Sequence, residues 1–282
     1  MKNQECEVSS LEWLPFEPAY NALTYSTDKE VLCHALAYLS IKHSIRMDHY
    51  IRALPEVHNG LVWYREHAVD IHSHVLVGLD DGAQTMEEAI ELLRLDWEEG
   101  IRVVFATPHY GKENGFAPNS DDIWYQYNKL VEAAEESVPG IKIRFGTEMY
   151  CSDDIVERIG KTWSMMPTDW HMVEFLEWGD VTEPAEVMLR RLKALKDNHI
   201  KTILAHPERY QAIQQDWDLA KRICDLGVLM QVNAYDLVLN PHEKNRSLAQ
   251  WMAKEELISF IGSDMHGTRP GKRRPRMKEG IR

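Results

Sequence analysis

From residue 68 onward the apolar positions switch repeatedly between two periods. Short runs rich in Val, Ile and Phe stand at 68–71 (AVDI), 102–107 (RVVFAT), 141–146 (IKIRFG), 171–176 (HMVEFL), 201–205 (KTILA), 228–233 (VLMQVN) and 257–262 (LISFIG). Their length and β-branched content predict strands. Between them, apolar residues recur at helical spacing over 85–99, 121–137, 152–160, 184–198, 216–226 and 243–255. Thr85-Met86-Glu87-Glu88 has the form of a capping box, and Gly100 and Gly227 stand where helix C-caps belong. Strand and helix in strict alternation predict a parallel sheet with helical crossovers. Seven such units approach a β/α barrel.

Residues 1–66 follow another pattern. Residues 1–26 are irregular, with Pro15 and Pro18. Thr27-Asp28-Lys29-Glu30 opens a helix that runs to about Leu54, with an apolar stripe of Val31, Leu32, Ala35, Leu36 and Leu39. Pro55 stops it and Asn59-Gly60 marks a turn. The expected organisation is a helical extension over 1–66, packing on the main domain or docking a partner, and a barrel over 67–282. Beyond the seventh strand the chain reads GTRPGKRRPRMKEGIR. This is either the start of a covering helix whose remainder is lacking, or a solvated basic tail.

Composition narrows the function. Lys and Arg number 32 against 45 Asp and Glu, a formal charge of −13, which disfavours non-specific binding to nucleic acid or an anionic membrane. No run approaches the ~20 apolar residues of a membrane span, and the start lacks the apolar core of a signal peptide. Cys6, Cys33, Cys151 and Cys224 form no CxxC pair, so neither a disulfide framework nor a zinc knuckle is expected, and a reducing cytoplasm is the default location. None has Arg six positions later, which closes the cysteine-nucleophile route to phosphate hydrolysis.

The predicted strands end in polar residues. His72 and His74, two apart on a strand, share one face. The turn after them carries Asp80-Asp81-Gly82, and later strands end in His109, Glu148, His206, and Asp264 with His266. In a β/α barrel these ends converge on one face, where active sites lie. Buried imidazoles and carboxylates without compensation are costly, and metal ions compensate simply. His and carboxylate donors without Cys suit Mn, Fe, Zn or Co. Eight candidates (His72, His74, Asp81, His109, Glu148, His206, Asp264, His266) exceed the needs of one ion and point to two or three. Such clusters suit phosphoester hydrolysis by metal-activated water. Arg209 and Arg269, each three residues after a site histidine, are candidates to grip the phosphoryl group. Glu174 and Asn233 can orient neighbours, and Tyr110, Tyr150 and Tyr210 can shape the wall.

Taken in order, DIHSH, DDG, TPH, GTEMY, AHPERY and SDMH resemble the PHP (polymerase and histidinol phosphatase) superfamily over about 68–270. The branch most similar is that of bacterial capsule-type, metal-dependent tyrosine-protein phosphatases. The resemblance implies a distorted (β/α)7 barrel with a trinuclear site, for which Mn is the metal expected first and Fe, Zn or Co are the alternatives. It implies that His72 and His74 hold a first metal with Glu148 and Asp264. Glu148 then bridges to a second held by His206, and Asp81, rather than Asp80, joins His109 and His266 around a third. The implied substrate is phosphotyrosine on a bacterial tyrosine autokinase controlling capsule or exopolysaccharide synthesis. This chain departs from the pattern in its long segment before the HxH motif and in the sequence after SDMH. Three competitors remain: a phosphoesterase on a small molecule such as histidinol phosphate, a PHP nuclease, and a non-enzymatic module with structural metals.

Overall fold

The computed structural model describes residues 68–111, 115–159, 164–165, 168–178, 181–238 and 243–280. The helix expected over 27–54 lies outside the described residues.

The strands are β1 (Ala68–Ser73), β2 (Ile101–Ala106), β3 (His109–Tyr110), β4 (Lys142–Phe145), β5 (Glu148–Tyr150), β6 (Trp170–Glu174), β7 (Glu177–Trp178), β8 (Val181–Thr182), β9 (Lys201–Ala205), β10 (Leu229–Asn233) and β11 (Ile258–Gly262). The helices are α1 (Met86–Glu99), α2 (Ser120–Ser137), α3 (Ile155–Ile159), α4 (Ala185–Asp197), α5 (Gln211–Gln215), α6 (Asp218–Asp225), α7 (Ala234–Val238), α8 (Glu243–Lys254) and α9 (Met277–Gly280), with a 3₁₀ turn at Pro207–Arg209.

Two parallel sheets run in the orders β1-β2-β4 and β11-β10-β9-β6-β5-β3. They are parts of one path. β3 continues β2 past Thr107-Pro108, where proline offers no N–H to the ladder. β5 continues β4 past Gly146-Thr147. Thr107 N donates to Ser73 O at 2.8 Å, Gly146 N to Ala106 O at 3.0 Å and Glu148 N to Pro108 O at 3.1 Å, so the pairing survives both breaks. On the other side, Asp264 N donates to His72 O at 2.8 Å and His74 N to Met265 O at 2.9 Å, tying β1 to the chain leaving β11. Asp70 reinforces this seam, accepting from Ser263 N at 2.8 Å and His72 N at 3.1 Å. The result is a distorted (β/α)7 barrel whose strands follow the seven runs read from the sequence. β7 and β8 form a separate antiparallel hairpin.

Two apolar layers lie between sheet and helices. In one, Ala89, Leu92 and Leu93 of α1 and Ile123, Leu130 and Ala134 of α2 join Val104, Ile143 and Phe145. In the other, Met188, Leu192 and Leu195 of α4, Leu219 and Ile223 of α6, and Leu248 and Met252 of α8 join Val173, Leu204, Met230 and Val232. Each fully buried aliphatic side chain contributes about 1.5–3 kcal/mol. These layers leave the strand ends free to carry buried polar groups: His72, His74, Glu148, His206, Gln231, Asn233, Asp264 and His266 are all buried.

The local signals act as expected at α1. Thr85 Oγ1 accepts from Glu88 N at 3.2 Å, and Gly100 takes the left-handed C-cap with φ 99°. The helix expected over 152–160 is shorter, because Ser152 and Asp154 bond each other and hold the first residues out of the helix. The basic stretch after β11 is not a solvated tail. Two of its cations, Lys272 and Arg273, reach Asp81 and Asp264, and Met277 of α9 is buried in the first core layer, while Arg274, Arg276 and Lys278 stay exposed.

Candidate metal centre

Strand geometry brings the donors together. His72 and His74 point the same way from the end of β1, as the two-residue repeat requires. His109 on β3 pairs directly with Glu148 on β5, and Tyr150 with Glu174 on β6. His206 follows β9, and Asp264 and His266 follow β11. His206 and Asp264 both hold left-handed backbone, with φ 34° and 50°. Non-glycine residues enter this region at a cost, and such strain concentrates at functional sites.

All eight residues named from the sequence fall into four overlapping groups with convergent donor atoms. These are His74, Asp81, His109 and His266; His72, His74 and Asp264; His72, Glu148 and His206; and His109, Glu148 and Glu174. Glu174 is the added donor, its Oε1 lying 2.9 Å from His109 Nδ1.

Hydrogen-bond logic fixes two of the imidazoles. The Asp264 carboxylate only accepts, so Asn233 Nδ2 must be the donor to its Oδ2 at 2.8 Å. Asn233 Oδ1 then accepts from Gln231 Nε2 at 2.9 Å, which leaves Gln231 Oε1 to accept from His72 Nδ1 at 2.7 Å. His72 Nε2 is therefore the nitrogen that faces the centre, where it can bind a cation in place of a proton. His74 Nδ1 is likewise occupied by Asp80 Oδ2 at 2.8 Å, so its Nε2 also faces inward. The two Nε2 atoms lie 3.2 Å apart, each 3.2–3.3 Å from Glu148 Oε2.

A third imidazole repeats the pattern. His266 Nδ1 donates to the Asp264 carbonyl at 2.8 Å, turning Nε2 toward Asp81 Oδ1 at 3.3 Å. Burial first, then facing His74 and Arg273, pushes His266 down to about 4, so it is neutral and offers a lone pair near pH 7. Acceptor facing acceptor is repulsive unless a cation lies between. Asp81 Oδ1, Glu148 Oε2, His206 Nδ1 and Asp264 Oδ1 are all buried without a hydrogen-bond partner. The residues present thus fit bound metal ions.

Electrostatics agree. Burial opposes charge on His72, His74 and His109. Facing carboxylates outweigh it and raise all three: Glu148 and Asp264 at His72, Asp80 at His74, Glu174 and Glu148 at His109. The cluster demands positive charge. Burial pushes the Cys151 thiol up, which leaves it unsuited to nucleophilic chemistry.

The two arginines named from the sequence part company. Arg209 lies at the centre, Nη1 3.3 Å from Asp264 Oδ2. Arg269 is engaged elsewhere, donating to Glu88 Oε1 at 2.9 Å and the Gly82 carbonyl at 3.0 Å, where it clamps the Asp80–Gly82 turn to α1. Arg273 and Lys272 come to the centre instead, at 2.9 Å from Asp264 Oδ2 and 3.0 Å from Asp81 Oδ2. Neither was singled out from the sequence, because a basic run gives no sign of which cation turns inward. Gln231 and Asp80 were missed as orienting residues. Asp80 stands beside the residue chosen from the same motif, and its carboxylate reaches both His74 and the backbone N–H of His109. Of the tyrosines, Tyr210 is buried and donates no bond inward; its hydroxyl accepts from Phe175 N at 3.0 Å.

The sequence model of the capsular polysaccharide synthesis family CpsB/CapC matches residues 68–282. Tyrosine-protein phosphatase CpsB of Streptococcus agalactiae serotype V is 27% identical over 210 residues, covering 70% of this chain and 82% of that protein. The putative tyrosine-protein phosphatase CapC of Staphylococcus aureus is 30% identical over 200 residues, covering 70% and 76%. In fold, the chain matches a crystal structure from work on YwqE of Bacillus subtilis and CpsB of Streptococcus pneumoniae, described as unique metal-dependent tyrosine phosphatases. The TM-score is 0.67 at 22% identity, over 76% of this chain and 84% of the other. A family match spanning the whole barrel leads to one conclusion: the chain belongs to the CpsB/CapC capsular polysaccharide synthesis family.

Proposed function

We propose that this chain is a metal-dependent protein-tyrosine phosphatase. The observation that carries the reading is the pair of inward-facing Nε2 atoms of His72 and His74, set against the partnerless Oε2 of Glu148. Such a nest of acceptors is stable around divalent cations. Two or three ions, Mn²⁺ first among them, would be held by His72, His74, Glu148 and Asp264; by Glu148 and His206; and by Asp81, His109 and His266, with Glu174 alongside. When bound, they would supply charge neutralisation at the phosphoryl oxygens and a water acidic enough to attack phosphorus near neutral pH.

The protein's own groups do the rest. Arg209, 29% exposed at its side chain, can turn a bidentate guanidinium to the phosphoryl group. Arg273, from the loop after β11, stands on the other flank of Asp264. Asn233, Arg209 and Arg273 together hold Asp264 Oδ2, which leaves Oδ1 turned to the cleft. Phosphotyrosine suits such a site because its phenolate leaves readily, with a conjugate-acid pKa of ~10, and needs little help from a general acid. A barrel domain over 67–282 carries this activity.

The substrate we assign is a tyrosine autokinase of capsule or exopolysaccharide synthesis, met in the cytoplasm. Among the described residues no helix is long and apolar enough to cross a membrane. The relatives named tyrosine-protein phosphatases support the phosphotyrosine reading over histidinol phosphate.

The test uses the full chain. Chelation is expected to abolish hydrolysis of p-nitrophenyl phosphate and of a phosphotyrosyl peptide, Mn²⁺ to restore both, and His206→Ala to lower kcat at least ~100-fold. Activity that survives chelation, or turnover of histidinol phosphate above that of the peptide, overturns the proposal.

A further inference from the structure

A chain with a formal charge of −13 carries a basic wall beside its metal centre. A cavity of about 960 Å³ opens there, lined by Arg209, Lys244, Lys272, Arg273, Arg274 and Arg276. Its acids are Glu177, Asp236 and Glu243, so cations outnumber acids six to three. One of the acids, Asp236, is buried against Glu208 and contributes little to the open face.

The inner end of the cavity is the rim of the metal centre. Arg209 and Arg273 bind Asp264, and Lys272 binds Asp81. The outer end is different. Lys244, Arg274 and Arg276 are exposed there, and Arg274 donates to the neutral carbonyl of Thr268, which leaves its charge uncompensated by that bond. An aryl phosphate held at Arg209 fills only the inner corner of such a space.

We infer that this cavity is the docking groove for acidic residues flanking the phosphorylated tyrosine of the protein substrate. The inference deepens the phosphatase reading and rests on it. Continuity supports it, because a phosphoryl group at Arg209 places the neighbouring peptide residues in the cavity. Charge supports it as well: the wall is basic on a chain whose formal charge is −13, so an acidic segment is drawn to this face against the net charge of the chain. A nucleic acid fits less well, since Tyr235 is the sole aromatic of the lining and offers little for bases to stack on.

The experiment uses the full chain loaded with Mn²⁺ and three substrates: p-nitrophenyl phosphate, a phosphotyrosyl peptide flanked by Asp and Glu, and the same peptide flanked by Ser and Gly. The unmodified protein is expected to favour the acidic peptide by about tenfold in kcat/KM at low salt, mainly through KM, and the preference should shrink as salt rises. Combined Lys244→Glu and Arg274→Glu should erase the preference while hydrolysis of p-nitrophenyl phosphate and the neutral peptide stays unchanged. Lys244→Gln with Arg274→Gln carries the same test if the glutamates unfold the protein. Equal turnover of the two peptides, with p-nitrophenyl phosphate still hydrolysed, overturns the groove and leaves the phosphatase reading standing. No hydrolysis of any of the three removes the phosphatase reading and the groove with it. A single-stranded oligonucleotide that competes through Lys244 and Arg274, with no preference between peptides, identifies a nucleic-acid groove and also overturns the inference.

Discussion

Gln231 carries no charge, yet it sets which nitrogen of His72 faces the cleft. The relay runs from Asp264 through Asn233 and Gln231 to His72, every member buried. Replacing Gln231 with Leu leaves His72 Nδ1 and Asn233 Oδ1 without partners. Metal affinity is expected to fall roughly 10- to 100-fold, and stability by about 1–3 kcal/mol for the unpaired groups. Calorimetric Mn²⁺ titration and urea unfolding of Gln231→Leu measure the two effects, and unchanged affinity would show that the relay does not govern His72. At this scale the sequence exposed the ligand types well. His, Asp and Glu at strand ends are conspicuous because buried charge needs a reason. It did not expose Gln231 or Asp80, because an amide or a second carboxylate signals nothing until its neighbours are known.

Elements position the donors, and the turn after β1 is the most constrained of them. Gly82 has no room for a side chain: a Cβ there would meet the His74 carbonyl oxygen at 2.2 Å and His74 Cβ at 2.5 Å. Gly82 N also donates to Asp80 Oδ1 at 2.9 Å, and the Gly82 carbonyl accepts from Arg269. Gly82→Ala must displace backbone, which costs about 1–3 kcal/mol by analogy with overpacked cores, and it moves Asp80 and Asp81 together. Denaturant unfolding of the apoprotein should register the loss, and Mn²⁺ titration a weaker site. A variant that matches the parent in both would contradict this account of the turn. Alternating periods along the chain predicted the seven strand positions and most helices. They did not predict that two strands would break at Thr107-Pro108 and Gly146-Thr147, or that α3 would start late. Those details depend on which backbone groups find partners across the barrel.

Across the whole molecule, the centre joins the two sheets. Its donors come from β1, β3 and β5 and from the chain leaving β9 and β11, so bound ions would tie the seam between β1 and β11 as well as supply chemistry. An ion at about a hundred times its Kd adds roughly 2.7 kcal/mol to stability, which for a unit of this size raises Tm by roughly 5–10 °C. Differential scanning fluorimetry should show chelated protein melting lower by that margin and Mn²⁺ restoring it. An identical Tm with and without Mn²⁺ would mean that the ions are not held by the folded barrel. The charge distribution belongs to this scale too. A net of −13 describes the surface average, while the loop after β11 concentrates its cations at one cleft.

The order of apolar runs was enough to give a parallel sheet with helical crossovers, because strand and helix periods are local, and the resemblance carried that to a (β/α)7 barrel. The motif residues were enough to name donors that converge in the structure, because imidazoles and carboxylates at strand ends can be stabilised together in few ways. Folding in three dimensions settled the division of labour among the cations. Arg269 and Arg273 lie four residues apart in one basic loop, and no local property separates them. Glu88, reaching across from α1, captures the first, and Asp264 captures the second. Each long side chain goes to the carboxylate that the packed barrel brings within reach, and that distance cannot be read from spacing along the chain.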